Sequence, residues 1–245
     1  MSALRAAAVA ARRAGRGLPA GRCSPSSDVQ RAPMILYGFF RSSTSYRLRI
    51  ALAFKGAAHD ARFVSLPKME HKSADYLAIN PQGLVPALVD GDHVYTQTLA
   101  IMEYLEEAYP EPPMLPAALP ARAYVRSISQ IVSCDIHPLN NVRVLKYLEQ
   151  RLSLGENERM AWYAHWIGEG FRSLEAALRH EGLSGRFVLG DTPGMADICL
   201  VPQVFNARRF NCDLSDYPTA LGIFENCMQL DAFTTTLPQY QPDAF

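Results

Sequence analysis

A run of prolines, Pro110, Pro112, Pro113, Pro116 and Pro120, interrupts the chain before its midpoint. Proline has no amide donor and its ring clashes with the preceding helical turn, so neither a helix nor a central strand can pass through such a run. A domain boundary is therefore expected here, and the apolar spacings on its two sides differ. Upstream, short apolar runs alternate with helical stretches; downstream, the helical period persists almost throughout. A length of 245 residues suits two units at ~100 to 200 residues each. The division expected is 34–109, a linker over 110–120, and 121–245.

The upstream unit opens with a strand at Ile35 to Tyr37, the polar turn Arg41-Ser42-Ser43-Thr44-Ser45, and a helix with a broad apolar face (Leu48, Ile50, Ala51, Leu52, Phe54). Ser45 or Thr44 can cap this helix, and Gly56 stands where a C′ glycine belongs. A second strand is expected at Phe63-Val64-Ser65-Leu66, then a short helix over Ser73 to Ile79. A strand Val85 to Val89, a turn at Asp90-Gly91-Asp92, a strand His93 to Tyr95 and a helix Thr98 to Tyr109 complete the order βαβαββα. Downstream, helices are expected over Arg122 to Ile136, Asn140 to Leu152, Glu158 to His180, Ala196 to Phe210 and Tyr217 to Leu230. The fold class is α/β plus all-α, a βαβαββα domain followed by a helical bundle.

The first 33 residues stand apart: Arg5, Arg12, Arg13, Arg16, Arg22 and Arg31 face the single acid Asp28. Such a leader reads as a mitochondrial transit peptide, or as upstream sequence translated from a misplaced start with Met34 the true first residue. Either way it is excluded from the fold. A net charge of zero, with no cluster of Lys and Arg in the folded part, gives no electrostatic footprint for nucleic acid. A small-molecule partner is expected instead. Cys23, Cys134, Cys199, Cys212 and Cys227 are odd in number and lack a C-x-x-C pair, which argues against disulfides and zinc and suits a reducing compartment such as the cytoplasm. No apolar stretch reaches the ~18 residues of a membrane span.

Three segments carry chemistry. The turn Arg41-Ser42-Ser43-Thr44-Ser45-Tyr46-Arg47 puts hydroxyls at a helix N-terminus, where unpaired N–H groups and the helix dipole hold either a simple cap or an anion such as a thiolate. Pro86 lies inside the apparent strand Leu84 to Leu88: an ordinary edge strand, or a cis proline that leaves the Val85 backbone free to pair with a peptide. Gln97-Thr98 begins the third helix as a cap or as a carboxylate site.

In this order the three resemble the thioredoxin-like glutathione-binding domain of glutathione transferases, and the turn R-S-S-x-S-x-R-x-R-I-A-L is similar to the zeta-class signature. The resemblance runs from Met34 through Asp135-Ile136-His137-Pro138-Leu139-Asn140-Asn141, Met195-Ala196-Asp197 and Val201-Pro202-Gln203-Val204 to the tail Gln241-Pro242-Asp243. It implies glutathione as cofactor, a homodimer, and a thiolate held by Ser42 with Ser43 and Thr44. It further implies that Gln97 and Thr98 bind the γ-glutamyl carboxylate and Val85 pairs with the cysteinyl residue. Ser45, Tyr46, Arg47, His71, His137, Asn141, Val142 and Arg143 match other glutathione-site positions, and Arg41 and Arg209 match positions for substrate carboxylates. The implied reaction is the conversion of maleylacetoacetate to fumarylacetoacetate in tyrosine and phenylalanine catabolism, by thiolate addition, bond rotation and elimination. Maleylpyruvate isomerisation and general conjugation are the alternatives.

Three positions depart from the zeta pattern. Thr44 replaces a usual cysteine, which removes a mixed disulfide but keeps a hydrogen-bond donor, and is shared with the maleylpyruvate isomerases. Thr98 replaces a serine. Gly194 replaces a capping Ser or Thr, at an expected cost of only a few tenths of a kcal/mol.

Overall fold

A computed structural model describes residues 33–180 and 182–245. The leader assignment, apart from Pro33, lies outside the described residues. The first half contains β1 (Met34–Gly38), α1 (Ser43–Phe54), β2 (His59–Phe63), α2 (Ala74–Ile79), β3 (Ala87–Asp90), β4 (His93–Thr96) and α3 (Thr98–Ala108). Its four strands lie in the order β2-β1-β3-β4, with β1 and β2 parallel and the other two pairings antiparallel. The order βαβαββα is as read from the sequence, and Gly56 ends α1 at φ +59°.

The second strand is a correction. Of the apolar run Phe63-Val64-Ser65-Leu66 only Phe63 belongs to the strand, which uses His59–Phe63 with Met34 opposite His59 and Gly38 opposite Phe63. β2 is an edge strand, largely exposed, and its residues His59, Asp60 and Arg62 are polar, so an apolar search passes over it. The run's buried member, Val64, follows it and donates its amide to the Gly38 carbonyl at 2.8 Å.

The second half is helical: α4 (Leu119–Gln130), α5 (Val142–Leu152), α6 (Glu156–His180), α7 (Met195–Arg209), α8 (Pro218–Cys227) and α9 (Asp231–Thr234). Pro120 belongs to the first turn of α4, where its missing N–H would have lacked a partner anyway. The expected helix to Ile136 ends sooner: a π-helical turn, Ile131–Ile136, and a 3-10 turn, His137–Asn140, follow α4. Helix α7 is apolar on nearly all sides and buried between α1 and its own neighbours, so one continuous core joins the two halves.

The proline segment is tied down by a buried ion pair. Lys55 Nζ lies 2.6 Å from Glu106 Oε2 and also donates to the Pro112 carbonyl, while Glu106 accepts the amides of Met114 and Leu115. Gly194 is required rather than merely tolerated at the start of α7. A Cβ there would sit 2.7 Å from the Met114 carbonyl oxygen, too close for a Ser or Thr cap. Asp197 compensates by accepting the Gly194 and Val188 amides.

Candidate active site

Where the two halves meet, a groove of about 250 Å³ opens. From the α/β side it is lined by Thr44, Arg47, Asn80, Gln82, Leu84, Val85, Pro86, Gln97, Thr98 and Leu99; from the helical side by Ser133, Cys134, His137, Pro138, Asn141 and Arg143. No Asp or Glu is among them. Two arginines without a lining acid make this a receptor for anions.

The hydroxyl turn builds one end. Ser42 is the N-cap of α1 and accepts the Ser45 amide at 3.2 Å. Thr44 Oγ1 donates to the Val85 carbonyl at 3.0 Å, which uses its only hydrogen. The 2.8 Å contact between Ser42 and Thr44 therefore has Ser42 as donor. This chain ties the helix start to the proline loop, a link that the weaker donor of a cysteine thiol would make less firmly. Ser42 stands one hydrogen bond behind the groove wall, and Ser43 is buried in the first turn of α1.

The Val85–Pro86 bond is cis, as the peptide-pairing reading of that segment requires. Immediately before it, the Leu84 carbonyl accepts from Tyr76 Oη and Asn80 Nδ2, both at 2.7 Å, so the loop is held from behind. Among the described residues no acceptor takes the Val85 amide. Helix α3 starts from Gln97 at φ +68°, with no side chain capping it. Its first amides are thus left to an external acceptor. Gln97 Nε2 donates to Gln82 Oε1 at 3.0 Å, bracing the rim.

Arg47 forms the floor. Its side chain is fully buried, Nη1 donates to Ser133 Oγ at 2.9 Å, and Nε and Nη2 have no partner. Burial depresses its pKa, with only the thiols of Cys199 and Cys134 acting the other way. Beside it, desolvation first, then Arg47 and Arg143, push the His137 pKa down to about 3, so the ring is neutral at physiological pH.

Of the residues expected from the sequence, the groove brings together Thr44, Arg47, Val85, Gln97, Thr98, His137, Asn141 and Arg143. Others lie elsewhere. Ser45 Oγ accepts the Phe39 amide and Tyr46 Oη donates to the Phe233 carbonyl, both in the core, because they occupy the inward face of α1. Val142 is exposed in the first turn of α5, and His71 sits in the 3-10 turn Glu70–Lys72. Ser133 and Cys134 were missed because a π-helical turn has no sequence signature here, and such turns recur at functional sites. Asn80 and Gln82 could have been found in the turn Asn80-Pro81-Gln82-Gly83.

Arg41 and Arg209, from opposite halves, lie close enough that Arg41 lowers the Arg209 pKa, second only to desolvation. No ion pair engages either one among the described residues; on this part of α7 it is Arg208 that pairs, with Glu225. Neither Asp213 nor Asp216, a few residues further on, forms an ion pair with Arg209.

A thioredoxin-like sheet joined to a helical bundle, with an acid-free groove at the first helix and the cis proline, defines a glutathione-transferase type of protein. Residues 41–108 match the model of the glutathione S-transferase N-terminal domain and residues 160–220 that of the C-terminal domain. The chain is 48% identical to a maleylpyruvate isomerase of Ralstonia sp over 211 residues, covering 86% of this chain and 100% of that protein. It is 43% identical to a probable maleylacetoacetate isomerase of Vibrio cholerae over 213 residues, 86% and 98% of the two. The crystal structure of a maleylacetoacetate isomerase from Methylobacterium extorquens AM1 with bound malonate and GSH superposes with a TM-score of 0.84 at 40% identity, covering 86% and 99%. The chain belongs to the zeta-class glutathione transferase and maleylacetoacetate isomerase family.

Proposed function

We propose that this protein is a glutathione-dependent cis–trans isomerase acting on maleylacetoacetate. The observation that carries the substrate reading is the Arg41–Arg209 pair: two guanidiniums from opposite halves, near enough to act on each other electrostatically and neither ion-paired among the described residues, suit a substrate with two carboxylates. The groove fits glutathione in its donor set. The free Val85 amide, the uncapped start of α3 at Gln97-Thr98, and the orphaned Arg47 donors complement a small peptide bearing carboxylates. His137, Asn141 and Arg143 would close over it from the helical side.

Bound glutathione supplies the thiolate that adds reversibly to the cis double bond. This chain's task is to favour that thiolate and hold the acid. Free thiols titrate near ~8.5, and each unit of depression takes ~1.4 kcal/mol. The Ser42 hydroxyl, swung from Thr44 toward the ligand, and the N-terminus of α1 supply it. The two arginines would keep the carboxylates in place while the bond between them turns.

Maleylpyruvate is the second reading, favoured by Thr44 and by the Ralstonia relative. A homodimer in the cytoplasm accompanies the proposal; sedimentation and localisation of the tagged full chain test those two points. The central test follows loss of the cis-enone absorbance for each acid, with and without glutathione. Glutathione-dependent turnover of maleylacetoacetate at the higher kcat/KM is expected. Preference for maleylpyruvate would move the assignment to the second reading, and turnover of neither acid would overturn both.

A further inference from the structure

The tail Gln241-Pro242-Asp243 belongs to the sequence resemblance yet lines no part of the groove. Its position gives it work at a distance. Residues 39–42 form a β-turn, closed by the Ser42 amide donating to the Phe39 carbonyl at 3.0 Å, with Phe40 and Arg41 at its centre. This turn presents Arg41, while Ser42 at its end is held independently as the N-cap of α1 by the Ser45 amide and Thr44.

The far end of the chain holds one backbone group of Phe40 directly and braces the other through Arg49. Its amide donates to Asp243 Oδ2 at 3.0 Å. Its carbonyl accepts from Arg49 Nη2 at 3.0 Å, and Arg49 Nε donates in turn to the Thr236 carbonyl at 3.1 Å. The other Asp243 oxygen is buried without a hydrogen bond, its charge facing Arg49. The side chains repeat the pattern. The Phe245 ring meets Phe40 edge-on at 5.1 Å, and the Arg41 guanidinium lies 4.9 Å from the Phe40 ring centre and 4.8 Å from that of Phe245. A long arginine side chain has many rotamers, and a carboxylate clamp works only if few of them remain. Here cation–π contact with two rings restricts the head while the hydrogen-bonded turn restricts the base.

We propose that Asp243 is a positioning residue that locks the 39–42 turn and, with Phe245, fixes Arg41 for a substrate carboxylate. The role rests on Arg41 being a clamp, as proposed above. Asp243 lies outside the groove lining and acts through Phe40 and Arg41.

The experiment compares Asp243→Ala, Asp243→Asn, Phe245→Ala and Arg41→Ala, and the Asp243→Ala/Arg41→Ala double variant, in the full chain. KM and kcat for maleylacetoacetate, glutathione affinity, conjugation of a neutral electrophile and Tm are read for each. Asp243→Ala is expected to raise KM for the acid roughly tenfold, on the scale that misplacing a binding group costs, with neutral-electrophile conjugation and glutathione affinity within about twofold of the parent. Asp243→Asn keeps an acceptor for the Phe40 amide and should recover most of the loss. Phe245→Ala, at an exposed ring, should give a smaller rise in KM without lowering Tm. In the Arg41→Ala background Asp243→Ala should add nothing. Equal losses with acid and neutral substrates, or a full additional loss without Arg41, would show a merely structural tail and overturn the proposal. Unchanged KM in Arg41→Ala would sink the clamp reading itself and this role with it. A raised KM in Arg41→Ala but not in Asp243→Ala would remove only the tail's part.

Discussion

The two walls of the groove are made differently. The α/β wall offers main chain: the Val85 amide and the open N-terminus of α3, held in place by Asn80, Tyr76 and Gln82 from behind. The helical wall offers side chains, His137 from the 3-10 turn and Asn141 and Arg143 from the start of α5. Thr44 and Arg47 stand where the walls meet. A backbone wall keeps its donors through most substitutions on it. A side-chain wall can be dismantled one residue at a time, and the hydroxyl turn between them is where charge develops.

The largest effect should come from that turn. Ser42→Ala is expected to lower kcat on the order of 100-fold, as for loss of one donor to a developing anion, while glutathione affinity changes far less. Thr44→Ala should be milder, since Thr44 already donates to the Val85 carbonyl. Comparable turnover by parent and Ser42→Ala would transfer the thiolate donor to Ser43 or to the backbone.

Arg209→Ala should follow, raising KM for maleylacetoacetate by an amount equivalent to about 1.5 to 3 kcal/mol and leaving conjugation of a neutral electrophile nearly unchanged. Arg209→Lys should recover part of the loss, because an ammonium keeps charge without the planar fork. Identical losses on both substrates would make Arg209 structural.

The walls themselves are contrasted by Arg143→Ala and Gln97→Ala, scored by glutathione titration. Arg143→Ala removes the wall's charge and should weaken binding by about 1 kcal/mol. Gln97→Ala should weaken it less, because the α3 amides remain. The reverse order would mean that the Gln97 side chain, not the helix terminus, holds the carboxylate.

The smallest effect concerns pH. The folded-state pKa of His137 is depressed from 6.5 to about 3. Between those values the unfolded chain binds more protons, so the contribution of His137 to stability is present above 6.5 and is lost as pH falls toward 3. His137→Gln should flatten the dependence of Tm on pH in that window. Glutathione affinity should show no His137 step near 6.5; a step there that disappears in His137→Gln would place the ring charged at neutral pH.

The order of elements was legible because each rests on local chemistry: apolar spacing for α1 and α6, proline exclusion between the halves, Gly56 as a stop; the caps were not, since Ser42 rather than Ser45 or Thr44 caps α1, and Ser73 and Asn141 cap helices that were expected to include them. The positions Thr44, Val85, Gln97 and Thr98 were marked by helix starts and a proline inside an apparent strand, which left a plain cap or an edge strand open; the resemblance to glutathione transferases supplied their expected roles. The polar edge strand His59–Phe63 was not legible, since its place is set by pairing with β1 rather than by its own pattern. Nor were the inward commitments of Ser45 and Tyr46, the π turn that carries Ser133 and Cys134, the need for glycine at 194, or the approach of Arg41 to Arg209. The sequence by itself determined which segments are helix, strand and anion-ready terminus, because hydrogen bonding within a few residues decides that. Which of those termini face one groove, and which arginines from opposite halves act on each other, only the tertiary structure decided, because such contacts join residues as distant as Phe40 and Asp243 and no local rule spans that separation.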